Sequence, residues 1–393
     1  MARARRHARL VLASLLAAAA CRDPATADPG VQSPASPTPG GNAGKADPAG
    51  DPAAAAGATV HADTNAAAAA TPSTPPVAAG ETFGPAKLTK LDDAARRSFL
   101  DGEADAPIPV DIHYVQSNET RHDLYFEYIR DKGGAYIGVG SDMNFTMMAV
   151  MKAEYAFLLD IDYRVVDLQR MYEVLVQAHD QPRALVDAWH ASHEAETRKL
   201  LEDAFAAEGE KAQSRILRGF ATARETVYRH LERVIARKQQ GEPVSWLSDP
   251  ELYAHVRAMY QTGRVRMMPG NLAGNHSLRT VGAVCKSLGV TVRTLYMSNA
   301  EEYFKYTDDF VANIESLPAD ADSRVLRTIY NKKWVHADLW AYQVQPLQDF
   351  QTRLSDNHKN RSRNPMLRYA DLEGALVKDT GREGLTLVAL PKP

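Results

Sequence analysis

The feature that most limits what this chain can become is a short apolar strand that runs into a glycine turn and returns as a second strand. Residues 135–140 read Ala-Tyr-Ile-Gly-Val-Gly, residues 144–151 carry a helical pattern, and residues 155–162 read Tyr-Ala-Phe-Leu-Leu-Asp-Ile-Asp. A strand, tight turn, helix and strand in so few residues make a βαβ unit. Its strands are apolar nearly throughout, as parallel strands covered on both faces must be. The unit therefore predicts an α/β domain built on a largely parallel sheet.

The rest of the chain can be read around that unit. Residues 88–100 carry apolar residues at helical spacing, with Leu91, Ala94, Ala95 and Phe99 on one side. Residues 112–119 read as a short extended segment with a polar end, and residues 124–130 as a helix closed by Gly133 and Gly134. From 163 to about 260 the period is helical, which predicts a long helical insertion between strands. Strands are expected at 265–268, 290–297, 324–330, 336–344 and 385–390, with helices at 277–288 and 300–306. Gly289 sits where a helix C′ residue belongs.

The chemistry-bearing residues cluster at the ends of these strands. Gly138 and Gly140 allow a sharp turn and close approach of a ligand. The helix behind them points free N–H groups at the turn. Asp160 follows Gly140 by twenty positions, at the end of the next strand, with Asp162 two further on. In nucleotide-binding βαβ units an acidic residue there accepts hydrogen bonds from ribose hydroxyls. Carboxyl ends of parallel strands share one crevice. That edge is predicted to gather Gly138, Gly140, Ser141, Asp142, Asn144, Asp160 and Asp162 as a cofactor site, with Asn118, Glu119, Asn271 and Asn299 as substrate contacts. Capping of turns and helices is the competing reading for Asn118, Asn271 and Asn299.

The glycine turn, the Asp160 strand end and the later strands resemble class I S-adenosylmethionine-dependent methyltransferases. More narrowly, residues 114–119 (Tyr-Val-Gln-Ser-Asn-Glu), 137–146, 160–162 and 295–303 (Leu-Tyr-Met-Ser-Asn-Ala-Glu-Glu-Tyr) are similar to a little-described bacterial family with a methyltransferase-like fold that has a Leptospira representative. The resemblance covers most of residues 110–345. It implies a Rossmann-like, methyltransferase-type sheet with helices on both faces, and S-adenosylmethionine as a cofactor with an unspecified acceptor. Two positions depart from the methyltransferase pattern. Tyr136 stands where an acidic residue is common, and Asp142 where a third glycine is usual. Asp142 would bring a carboxylate toward the ligand, which disfavours a pyrophosphate. The rival reading is a non-catalytic envelope lipoprotein whose nucleoside pocket is degenerate and serves as a ligand-binding or interaction module.

The N-terminus points to export. Arg3, Arg5, Arg6 and Arg9 precede an apolar run at 10–20, too short for a membrane span but suited to a signal segment. Ala18-Ala19-Ala20-Cys21 resembles a lipobox, so Cys21 is the expected lipidation site. Ordinary cleavage after an Ala-x-Ala pattern is the alternative. Residues 22–85, rich in Ala, Pro and Gly, are expected to form a disordered stalk, leaving 86–393 as the α/β domain. The expected location is the bacterial envelope, with membrane contact through the lipid anchor alone. A formal charge of −3 gives no basic field, so nucleic acid is not an expected partner.

Several other signals read as structural. Asp187, His190 and His193 fall on what reads as one helix face but lack a third metal ligand at a diagnostic spacing, so no metal is expected. Arg324, Arg327, Lys332 and Lys333 read as a solvated strand face. Cys285 reads as a small buried hydrophobe.

Overall fold

The computed structural model describes residues 82–83, 88–356 and 361–392. The expected signal segment, Cys21 and nearly all of the expected stalk lie outside the described residues. Eight strands form one sheet: β1 Ala135–Val139, β2 Tyr155–Asp160, β3 Val265–Pro269, β4 Val292–Tyr296, β5 Arg324–Ile329, β6 Ala341–Pro346, β7 Leu376–Val377 and β8 Leu385–Val388. In space the order is β7-β8-β6-β5-β4-β1-β2-β3. The run β5-β4-β1-β2-β3 is parallel throughout. This is the strand order of a doubly wound nucleotide-binding sheet, with the direction of winding reversing between β1 and β4. β6 then pairs antiparallel with β5, and β8 lies parallel to β6. The domain is Rossmann-like, with a mixed margin on one side.

Period-two alternation assigns the sheet's two faces. Tyr136, Ala156 and Leu158 point toward α2 (Met143–Val150) and α3 (Tyr163–Ala178). Ile137, Phe157 and Leu159 point toward α1 (Asp93–Leu100) and toward the helices Ser277–Ser287 and Asp308–Glu315. A residue-long shift of register would exchange these two sets, so the packing pins the ladder.

Between β2 and β3 the chain leaves the sheet for the expected helical insertion. It comprises α3, α4 (Pro182–Ala188), α5 (Glu194–Ala204), α6 (Glu210–Ile235) and α7 (Pro250–Gln261). Phe145, Tyr172, Trp189, Phe220 and Trp246 bind it to α2 in a chain of ring contacts, with centroids 4.9 to 5.6 Å apart. After β3 come α8 (Ser277–Ser287), α9 (Asp308–Glu315), α10 (Leu347–Ser355) and α11 (Arg363–Leu372) on the opposite face. Among the described residues no helix is long and apolar enough to cross a membrane.

Side chains set the element boundaries where periodicity misleads. The first helix starts at Asp93, later than the spacing predicts, because the Asp92 carboxylate accepts the Ala95 N–H at 2.8 Å and caps it. The expected helix at 300–306 shrinks to one 3-10 turn, Ala300–Glu302. The expected strand at 336–344 begins only at Ala341, since Asp338 turns the chain by accepting the Trp340 N–H. Asp187, His190 and His193 do not share a helix face. The helix stops at Ala188, and His190 caps the following 3-10 turn. Gly289 has φ +65°, the left-handed conformation that closes a helix.

Arg327 corrects the expectation of a solvated strand face. It is fully buried, with Nε 2.7 Å from the Glu301 carboxylate, and donates to Gln343 and Gln345 at 3.0 and 2.7 Å. Its guanidinium lies 4.9 Å from the Phe350 ring centre. The mixed margin of the sheet supplied these partners, and nothing in the local sequence marks them.

Candidate functional site

The site lies along the carboxyl edge of β3, β2, β1, β4 and β5. A strap of irregular chain, residues 105–120, crosses this edge. At one end the Asp105 carboxylate takes backbone N–H groups of Asn271, Asn275, His276 and Ser277 at 3.0 to 3.3 Å. In the middle, Ile108 N–H reaches the Ile161 carbonyl at 3.3 Å, and His113 Nδ1 sits 2.6 Å from Asp162 Oδ2. At the far end Asn118 Oδ1 accepts the Trp340 indole N–H at 3.0 Å, and Thr120 donates to Asp338 at 2.7 Å.

Beneath the strap, the glycine turn and Asp160 are immediate neighbours. β1 pairs with β2 in register, so Gly140 follows the β1 tip directly beside the end of β2. Its φ of +90° is open to glycine, and a Cβ there would meet the Met143 methyl at 2.9 Å. Asp160 Oδ1 accepts the Asp162 N–H at 2.8 Å. Burial pushes the Asp160 carboxyl up to about 7, and the charge of Asp162 adds to this. Backbone N–H groups of Asp162, Gly140 and Ile161 oppose the shift without cancelling it. Asp160 still keeps a partly exposed face.

Gly138 serves packing. It is buried, and a Cβ there would fall 1.9 Å from Asn144 Oδ1 and 2.7 Å from the Tyr136 ring. Tyr136 donates to Asn144 Oδ1 at 2.8 Å, while Asn144 Nδ2 donates to the Val139 and Ser141 carbonyls at 3.0 and 2.9 Å. Asn144 therefore locks the turn from below. Gln169 Nε2 locks it from α3 by donating to the Gly140 carbonyl at 2.6 Å.

Asp142 turns away from the edge, contrary to the expectation that it would face the ligand. It is 1% exposed and lies 2.8 Å from His230 Nε2 on α6, with Ser141 Oγ at 3.3 Å. Burial alone would raise its carboxyl. The charge and hydrogen bond of His230, helped by Arg237, outweigh that and hold it below the usual range. The turn thus contributes no free carboxylate to the crevice. Asp162 caps α3 by accepting the Arg164 N–H at 2.9 Å.

A second polar cluster sits over the tips of β4 and β5. Glu119 is 2% exposed. Its Oε1 accepts from Ser298 Oγ at 2.5 Å and Thr328 Oγ1 at 2.8 Å; its Oε2 accepts from the Tyr296 hydroxyl and lies 3.1 Å from His122 Nε2. Burial again works to raise this carboxyl. The His122 hydrogen bond and charge, with the Ser298 and Tyr296 hydroxyls, reverse the direction and lower it.

The remaining expected contacts are engaged within the protein. Asn271 Oδ1 accepts the Ala273 N–H at 3.0 Å, and Asn299 Nδ2 donates to the Tyr303 hydroxyl at 3.3 Å. The residues that sequence reasoning missed are Asp105, His113, His122, Gln169, His230, Tyr296 and Thr328. The strap, α3 and α6 also enclose a cleft of about 340 Å³, lined by Ile112, His113, Val115, Leu168, Met171 and Ala223 among others.

A family model described as a domain of unknown function, DUF7790, matches residues 114–389. No curated protein matches the chain. Two structures of the rRNA methyltransferase aviRa from Streptomyces viridochromogenes are similar at 9% identity, covering 64% of this chain and 87% of theirs, with TM-scores of 0.26 and 0.25. Scores that low bear on neither activity nor fold, and the fold assignment rests on the strand order.

Proposed function

The chain belongs to the DUF7790 family, and from that premise we propose that it is a methyltransferase-like protein that binds S-adenosylmethionine or a related nucleoside at the carboxyl edge of the sheet. The acceptor is left open. The observation that carries the reading is the pairing of a bare glycine turn at Gly140 with the partly exposed Asp160 on the neighbouring strand tip. A ribose diol is a fitting partner for that carboxylate. Asp160 would hold the ribose, while Asn144 and Gln169 would keep the turn in shape. When bound, S-adenosylmethionine supplies an electrophilic methyl group.

The test is thermal melting of the protein with S-adenosylhomocysteine. At 100 times the dissociation constant, binding adds about 2.7 kcal/mol of stability. A melting rise that vanishes in Asp160→Ala supports the reading; no rise with any nucleoside sinks it.

A second reading, a non-catalytic envelope module, draws on two observations. Asn118, Asn271 and Asn299 are already hydrogen-bonded within the protein. The N-terminal segment reads as an export signal, and an exported domain would leave the compartment where S-adenosylmethionine is made. Lipidation at Cys21 belongs to this proposal. Mass spectrometry of wild type and Cys21→Ser decides it: an acylated mass in wild type alone is expected, and the absence of acylation from both proteins would dismiss the anchor.

A further inference from the structure

Ser298 stands out along the carboxyl edge. It follows β4 by two residues and precedes the 3-10 turn Ala300–Glu302. Its φ is +50°, a conformation that costs a non-glycine residue about 1 kcal/mol or more. The other non-glycine residues with positive φ among the described ones are Asp131, Lys152, Gln240 and Ala389; Ala389 follows β8 at the sheet's mixed margin, and none of the four follows a strand of the parallel run β5-β4-β1-β2-β3. Its carbonyl still accepts the Thr328 N–H at 3.0 Å, so the sharp bend comes right at the strand tip, and a serine on a sharp turn after a strand is an arrangement that presents a nucleophile.

Three further observations fit that role. Ser298 Oγ donates to Glu119 Oε1 at 2.5 Å, so its proton already has a destination. Ser298 is partly exposed while Glu119, Tyr296 and Thr328 beneath it are buried, so a substrate can reach the hydroxyl but water reaches the carboxylate poorly. The backbone N–H groups of Ser298 and Asn299 have no acceptor among the described residues. Consecutive free N–H groups at such a turn suit a developing oxyanion.

We propose that Ser298 is a nucleophile toward ester carbonyls, with Glu119 as its proton acceptor. In this step the Ser298 oxygen bonds to the carbonyl carbon and its proton passes to Glu119. The carbonyl electron pair moves onto oxygen, held by the Asn299 N–H. The tetrahedral adduct collapses, the ester C–O bond breaks, and the leaving alkoxide takes the proton from Glu119. Water then releases the acyl group from Ser298 by the same route. Exposed Tyr303, bonded to Asn299, and exposed Tyr330, which follows the neighbouring strand β5, favour an aromatic acyl group. The proposal is independent of nucleoside binding.

A fluorophosphonate ester tests it on the full chain. Phosphonylation of Ser298 forms a Ser298 O–P bond, displaces fluoride and needs the same proton transfer. The expected result is one adduct, mapped by peptide mass spectrometry to Ser298 and absent from Ser298→Ala. Labelling should slow at least tenfold in Glu119→Gln and persist in Thr328→Val, which keeps the carboxylate. Absence of a Ser298 adduct in wild type overturns the proposal whatever the variants do. Equal labelling of folded Glu119→Gln and wild type overturns the role of Glu119.

Discussion

Two carboxylates on the same sheet edge, Asp160 and Glu119, meet opposite fates. Burial raises both. Asp160 receives only backbone N–H groups and has the like charge of Asp162 beside it, so it rises to about 7. Glu119 is the more deeply enclosed, yet it stays ionised below its ordinary range, because His122, Ser298 and Tyr296 aim donors and positive charge at it. Depth does not decide protonation here; the number and kind of donors do. One end of the edge is therefore left electrostatically unsatisfied and the other has its charge matched by donors.

The contrast is broken most sharply at the matched end. Glu119→Ala strands Ser298, Tyr296, Thr328 and His122 without their shared acceptor. The expected loss is about 3–5 kcal/mol, read from urea midpoints with an unchanged slope. A loss below about 1 kcal/mol would mean that water enters and replaces the carboxylate.

The open end should respond with the opposite sign. The folded Asp160 carboxyl, at about 7, holds its proton more tightly than the unfolded chain, near 4. Its contribution is full below pH about 4 and is lost as pH rises through about 7. Asp160→Asn keeps the oxygen that accepts the Asp162 N–H and removes the titration. It should stabilise the protein by roughly 1–3 kcal/mol at pH 8 and by little at pH 4. Melting of both proteins across that range checks the sign. Glu173, also pushed to about 7 by burial, titrates in both and cancels in the difference.

The smallest effect is expected at the strap. His113→Ala removes one contact to Asp162, and His113 is only partly buried. Global stability should fall by about 1 kcal/mol or less. Hydrogen exchange at residues 106–117 should quicken, while the buried clamps at Asp105 and Glu119 stay protected. Unchanged exchange would show that those clamps alone hold the strap.

The same contrast separates what could be read locally from what could not. Gly140 and Asp160 were legible because one βαβ unit carries both, and parallel pairing of its strands brings their tips together. Glu119 was placed on the edge correctly, but its meaning was hidden. Its partners Tyr296, Ser298 and Thr328 lie 177, 179 and 209 residues away. Asp142 shows the limit most clearly. Its position in the turn suggested a carboxylate facing the ligand, yet His230, 88 residues on, draws it inward.

Periodicity and glycine placement thus determined the α/β class, the helical insertion and the neighbouring positions of Gly140 and Asp160, since these follow from backbone geometry over a few dozen residues. Tertiary structure alone decided which polar groups face the crevice and which carry charge. A side chain's direction and protonation depend on the dielectric and the donors around it, and distant segments of the chain bring those together.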